Sequence, residues 1–456
     1  MGLNPHIPMA GGTTGPKEDL FRLGEGIIDS LLKLGADGAF VIPTHWDTLM
    51  VRFSNNKVTV TQDWSVRGVN TLALFGRKRI VSHLEDLSSR AVEAWVERIA
   101  KQAQAIPEMP DSAEMPPGSS FPDHPTGEKI DADQMGEGVR SAIESALRAG
   151  AQRVSGIFIA TISHDALLGS NGARGYDERP LFEFNVRAFN GEASGQGVSC
   201  STRMDGIAPE KAGGEAGEVA RLSSSRVQWQ EGRHDVLLGP IIGANLMERV
   251  GDACSAFSVE AGTSSLGSRL GEKVFADALT VTDDGASDDA PDSRSFDDEG
   301  MATGANILIE KGVLRSYLHN SSTAKRFKTS STGNAGWISP SPWSLVVGKG
   351  SRCFSELLEE LDNGVYMVSN WYTRFQNYST GDFSTISRDG AFLVKNGEVA
   401  GAIRGVRISD NLLRLFSGVD GVGAERQWIK WWEVRTPVLM PALISRGINL
   451  TKAQGS

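Results

Sequence analysis

The stretch 106–129 constrains this chain more than any other feature. Six prolines (Pro107, Pro110, Pro116, Pro117, Pro122 and Pro125) stand there among Ser, Gly and acidic residues. Each removes a backbone donor and fixes φ, so neither a helical nor a strand period can run through the segment. It reads as a linker or long surface loop. With 456 residues the chain also exceeds the size at which one hydrophobic core keeps growing. The expected division is an N-terminal α/β domain over 1–122, a second α/β domain over 123–230, and a β-rich C-terminal domain over 231–456.

Local periodicity supports that division. Apolar residues recur at helical spacing from 17 to 34 (Leu20, Leu23, Ile27, Ile28, Leu31), and Gly35 follows as a stop. Short β segments are expected at 39–42, 48–54, 58–62, 69–75 and 79–83, with a hairpin turn at Gly76-Arg77-Lys78. A helix over 88–104 ends the first unit. The second unit reads as a helix over 132–149, strands at 153–163, 181–189 and 197–203, and a small Ala-rich helix near 209–225. Beyond His234 the chain becomes rich in Gly and in short turn-bounded strands, as in a sandwich or barrel, and seven of ten tryptophans lie at Trp229 or later. One helix, 239 to about 257, interrupts this half. The fold class expected is α+β: a helix-plus-antiparallel-sheet region followed by a mainly β domain with one long helix.

Composition removes several function classes. A net charge of −10 and a pI near 5.4 leave no cationic excess for a phosphate backbone, so nucleic acid is not expected as a direct partner. No apolar run is long enough to span a membrane, and Met1–Gly15 lacks the basic and apolar regions of an export signal. His6 stands where a myristoylation signal wants Ser or Thr. A cytoplasmic protein is expected. Cys200, Cys254 and Cys353 are far apart and without CxxC spacing, which points to buried reduced thiols.

Two stretches are specific. The first runs Ser295-Phe296-Asp297-Asp298-Glu299-Gly300, then Ile307 to Leu314, Tyr317-Leu318-His319 and Ser331-Thr332-Gly333-Asn334-Ala335. The second runs Thr380-Gly381-Asp382-Phe383-Ser384, then Phe392 to Glu398 and Ile408-Ser409-Asp410-Asn411-Leu412. In that order and at those separations they resemble the C-terminal domain of the TldD/PmbA protease family.

The resemblance implies a metal-dependent peptidase acting on unfolded or small peptides. It also implies a heterodimer in which only the TldD-type subunit carries the metal. In that subunit a helix bears His-Glu-x-x-x-His and a Cys near the C-terminus completes the shell. Here the matching helix reads Leu246-Met247-Glu248-Arg249-Val250-Gly251-Asp252, and the tail from Gly421 holds no cysteine. By resemblance, Met247 and Asp252 replace the histidines while Glu248 survives. A thioether and one carboxylate are a poor exchange for two imidazoles and a thiolate. The expected role is a TldE/PmbA-like, non-catalytic subunit without a cofactor of its own, zinc residing in the TldD-like partner. Substrate or partner contact is expected at Asp297, Asp298, Glu299, Asn334, Thr380, Gly381, Asp382 and Phe383, with Asp297 to Gly300 fixing a turn beside a substrate groove.

Other readings stay open. Glu248 and Asp252 share a helix face and, with Cys254 and His234 or His319, could hold a hard divalent ion in an active hydrolase; the bland alternative is that they pair with Arg249 or solvent. A homodimeric protein that binds a peptide or metabolite without cleaving it is the remaining reading. The seven histidines never pair at i, i+3 or i, i+4. The acidic run from Asp283 to Asp292 lacks EF-hand spacing and reads as a solvated loop. Gly24-x-Gly26 follows no strand and is no dinucleotide fingerprint. The aromatic group Trp371, Tyr372, Phe375, Tyr378, Trp428, Trp431 and Trp432 suits either a β core or an interface.

Overall fold

The structure is a computed structural model that describes residues 16–109 and 112–453. The readings at Met1–Gly15, His6 included, lie outside the described residues. The N-terminal half comprises α1 Pro16–Lys33, β1 Gly38–Ser54, β2 Lys57–Phe75, β3 Lys78–Leu84, α2 Ser89–Ala105, α3 Ala132–Arg148, β4 Arg153–Gly169, β5 Arg174–Asn190, β6 Ala193–Ser201 and α4 Pro209–Leu222. Its strands form one six-stranded antiparallel sheet, ordered β3-β2-β1-β4-β5-β6. The strands of 1–122 and 123–230 therefore share a sheet, joined where Phe40 faces Gly169 and Phe53 faces Gly156.

Side-chain alternation explains how this sheet is covered. Successive residues of a strand point to opposite faces. Ala39 and Val41 pack under α1 and α2, while Val51 and Phe53 of the same strand pack under α3 and α4. Phe40 and Ile42 point the other way and meet Phe296 of the C-terminal half. Helices α3 and α4 approach closely because small residues face each other: a Cβ on Gly213 would stand 2.2 Å from the Ala142 carbonyl oxygen.

The segments expected as separate short strands at 39–42 and 48–54 are one strand, as are those at 58–62 and 69–75. The 57–67 part of β2 is exposed on both faces. Among the described residues it keeps its strand form through pairing with β1 alone, which leaves little burial pattern to read. The hairpin turn forms as expected, with Gly76 at φ +61°.

The C-terminal half runs β7 Gly232–Leu238, α5 Pro240–Ala253, α6 Ala256–Glu260, β8 Val281–Asp284, β9 Ala305–Glu310, β10 Val313–Leu314, α7 Ser321–Phe327, β11 Leu345–Val347, α8 Phe354–Leu361, β12 Gly364–Met367, β13 Asn370–Asn377, β14 Asp382–Ser387, β15 Ala391–Lys395, β16 Glu398–Ala402, β17 Val406–Asn411, α9 Leu412–Ser417, β18 Val419–Trp431 and β19 Val434–Lys452. The strands make one branched thirteen-stranded sheet in place of the sandwich or barrel expected. Its axis is β19, which pairs with β7, β11, β17 and β18. Pro437 and Pro441 hid this strand, because proline normally marks an edge; Pro441 nevertheless sits opposite Arg426 beside a register shift.

The α+β class holds. The single helix expected over 239–257 breaks at Cys254 into α5 and α6, and α7, α8 and α9 add three short helices. No helix among the described residues is long and apolar enough to cross a membrane.

Candidate functional site

Helix α5 is built into the centre of the C-terminal half. Strand β7 delivers the chain to Gly239, and Pro240 occupies the first helical position, where its missing donor costs nothing. Ile241, Ile242, Ala244, Leu246, Met247 and Val250 are buried against the sheet. Met247 is 0% exposed and is a core side chain.

Glu248 follows it and points elsewhere. One carboxylate oxygen, Oε1, accepts the N–H groups of Arg435 (2.7 Å) and Thr436 (2.9 Å), and Oε2 accepts Arg249 Nη2 at 2.8 Å. Burial pushes its pKa up, while Arg249 and the two amides oppose that. Arg249 Nη1 reaches Asp252 Oδ2 at 3.1 Å, so one guanidinium spans both acids of the helix. Asn245, a turn earlier, is fully buried: Nδ2 donates to the Glu433 carbonyl at 2.7 Å, and Oδ1 accepts Thr373 Oγ1 at 2.6 Å and Asn370 Nδ2 at 2.9 Å. These bonds fix β13 over α5.

Between them lies a cleft of about 580 Å³ lined by Arg249, Asp252, Ser265, Arg374, Tyr378 and Glu433, among others. The turn 378–382 closes one side. There Gly381 adopts φ +83°, a conformation that favours glycine, and its Cα faces Ser265. Thr380 Oγ1 donates to Asp382 Oδ2 at 2.6 Å, and Asn411 Nδ2 donates to the Thr380 carbonyl (2.7 Å) and Asp382 Oδ1 (2.9 Å). Those bonds hold the Asp382 carboxyl below its usual range. Phe383 is buried, whereas Thr380 and Asp382 are exposed.

Asp297, Asp298 and Glu299 stand elsewhere, on the turn at the seam between the two halves, and Asn334 lies within the C-terminal half; all four are buried. Asp297 Oδ1 accepts the N–H groups of Glu299 and Met301, and Oδ2 that of Ala335, all at 2.9 Å. Burial pushes the Asp297 carboxyl up to about 7 against those bonds. The turn it fixes places Glu299 Oε1 2.6 Å from Arg79 Nη2 of β3, and Glu299 Oε2 accepts the Ser321 N–H. Asn334 donates to Asp283 Oδ2 at 2.6 Å and to the Ser341 carbonyl. Of the eight contact residues expected, Thr380 and Asp382 thus reach solvent beside the cleft, the 297–299 group stands at the seam, and Asn334 is bonded within the C-terminal half.

The acidic run is not one solvated loop. Asp283 is interior and accepts the N–H groups of Trp343 and Ser344, and Asp292 pairs with Lys430 (3.2 Å) and Arg179 (3.5 Å). The cysteine reading holds for Cys200 and Cys254; Cys353 is exposed. The aromatic group divides as well: Trp431 is buried, while Tyr372, Tyr378 and Trp432 are exposed.

The donors around α5 do not suit zinc. The helix carries no histidine, Met247 is sealed in the core, and Glu248 is spent on amides and a guanidinium. His234 bonds the Gln230 carbonyl, and His319 sits against Thr323 and Phe327. Among the described residues no three His, Cys, Asp or Glu stand where they could hold a metal ion.

Residues 231–452 match the description PmbA/TldA metallopeptidase C-terminal domain, and residues 120–223 match the central domain of the same family. The chain belongs to the PmbA/TldD metallopeptidase family. It is similar to a metalloprotease of Methanothermobacter thermautotrophicus, 31% identical over 47% of this chain and 48% of that protein. It is also similar to the metalloprotease PmbA homolog of Buchnera aphidicola, 27% identical over half of each chain. The chain spans about half the length of the curated relatives it matches. In fold it is similar to the crystal structure of TldE from Thermococcus kodakarensis, with a TM-score of 0.83 at 18% identity over 94% of this chain and 99% of that one.

Arg249, Arg374 and Glu433 line the cleft and Asn245 ties β13 over α5, and sequence reasoning gave them little weight. The signal available was Asn245, a lone amide inside an apolar helix run, which needs buried partners.

Proposed function

We propose that this chain is the non-catalytic, TldE/PmbA-like subunit of a peptidase whose zinc and catalytic base reside in a TldD-like partner. The observation that supports this most is the use of Glu248: both oxygens are satisfied inside the chain, and Arg249 supplies the positive charge a metal would bring. A carboxylate so engaged is not free to take a proton from water.

The cleft beside α5 supports a peptide-handling role, which we place in the cytoplasm. Among the described strands β13 pairs only with β14, so its other edge keeps backbone groups that an extended peptide can meet. Solvent-facing Tyr378 and Arg374 stand beside that edge. Among the described residues the 57–67 part of β2 likewise keeps one edge unpaired, since β3 pairs only with Val69 to Phe75, and it carries exposed Val58, Val60 and Trp64. A subunit interface suits such a strand.

Co-expression with a TldD-type protein bearing an intact His-Glu-x-x-x-His tests the reading. A stable complex on size exclusion, with cleavage of an unfolded substrate appearing only in that complex, supports it. A homodimer that ignores the partner and holds a peptide uncleaved would support the binding-protein reading in its place.

A further inference from the structure

The seam between the halves contains a second cavity, of about 300 Å³, away from helix α5. Its walls are the inner face of the N-terminal sheet and the loops of the C-terminal half. Three tryptophans line it. Trp46 of β1 is 44% exposed, Trp337 is half-buried, and Trp343 is fixed by an Nε1 bond to the Gly333 carbonyl.

The charges in this cavity are unequal and incompletely paired. Three carboxylates (Asp165, Asp177 and Asp298) stand against two guanidiniums, Arg179 and Arg294. Arg179 commits both Nε and Nη2 to Asp165 Oδ2, and Asp177 is used by the Ser295 N–H and hydroxyl. Arg294 is stacked on Trp343, its guanidinium carbon 4.0 Å from the ring centre. Asp298 is only 8% exposed, yet its carboxylate accepts no hydrogen bond among the described residues, and Arg294 Nη1 comes no nearer than 3.6 Å. Arg294 Nε is itself buried without a hydrogen-bond partner among the described residues, so the Arg294–Asp298 pair is loose on both sides, and burial pushes the Asp298 carboxyl up to about 6.

An aromatic wall beside an unsatisfied carboxylate is the arrangement that receives an organic cation, since the ring face and the acid both attract it. The geometry points to this cavity as a subsite for a cationic side chain, arginine or lysine, of a peptide lying on the inner face of the sheet. Donated N–H groups would complete Asp298, and Trp46 would cover the cation. An anionic group would meet the carboxylate excess.

The inference goes beyond the subunit reading and is tested on this chain alone. The full chain is titrated with acetyl-Gly-Arg-Gly-amide and with its citrulline analogue, which keeps the shape and loses the charge. Calorimetry and tryptophan fluorescence report binding. The expected result is saturable binding of the arginine peptide, about tenfold weaker binding of the citrulline peptide and of the arginine peptide to Asp298→Asn, and about fivefold weaker binding to Trp46→Ala. Trp46 is exposed, so that variant stays informative if Asp298→Asn folds poorly. Equal affinity for the two peptides, unchanged affinity in Trp46→Ala, or no saturable binding at millimolar peptide would overturn the inference. Partner-dependent cleavage could survive any of those results, and its loss would leave the binding measurement standing, so the two readings fail separately.

Discussion

Arg249 Nη2 lies 2.8 Å from Glu248 Oε2, and the same guanidinium reaches Asp252 one turn on, so the acids of helix α5 are neutralised from within the helix. Replacing Glu248 by Gln sets an amide NH2 against either the Arg249 guanidinium or the Arg435 and Thr436 N–H groups. The expected loss is about 2 kcal/mol, the cost of leaving buried donors unpaired. Urea unfolding should show a lower midpoint with an unchanged slope.

The Arg79–Glu299 pair, at 2.6 Å and nearly buried, joins β3 to the 295–300 turn across the seam. Arg79→Met should cost about 3 kcal/mol, because Glu299 is left as a buried charge. Thermal unfolding measures this, and the double variant with Glu299→Gln should recover part of the loss.

Asp298 gives the protein a dependence on pH. Its folded pKa, about 6, lies above the ordinary value of 3.8, so its contribution is fully present below pH 3.8 and is lost as pH rises through 6. Asp298→Asn lacks that loss. Relative to the unaltered chain the variant should gain roughly 1 kcal/mol between pH 5 and 7.5, read from denaturant midpoints at the two pH values.

Helices α3 and α4 depend on a close approach. A Cβ at Gly213 would stand 2.2 Å from the Ala142 carbonyl oxygen, and one at Gly217 2.4 Å from the Ala146 oxygen. Gly213→Ala should cost about 2 kcal/mol through displacement of α4. Gly136→Ala in α3 meets nothing within 4 Å and should be neutral or slightly stabilising.

The helices α1 to α4 were legible because each has an apolar stripe and a distinct end. Leu20, Ile27 and Leu31 announce α1 before Gly35 stops it. The long strands were not. Residues 57–67 of β2 are solvated on both faces, and Pro437 and Pro441 disguise β19, which takes its place from its neighbours. The family was legible from the 295–300, 331–335 and 380–384 motifs, and the pairing of Glu248 and Asp252 with Arg249 was the plain alternative to a metal. The structural use of Glu299 at the seam and of Asn334 inside the C-terminal half was not legible, because it depends on Arg79, Ser321 and Asp283, distant in sequence. Motif residues gathered at one seam look the same in sequence as residues gathered around a substrate.

The most direct test is cleavage of an unfolded peptide by the purified chain alone, with zinc added and with a chelator. The expected result is no cleavage in either condition, and cleavage once a TldD-type partner is supplied, unaffected by Glu248→Gln in this chain. Chelator-sensitive cleavage by this chain alone, abolished by Glu248→Gln in a variant that remains folded, would contradict the non-catalytic role.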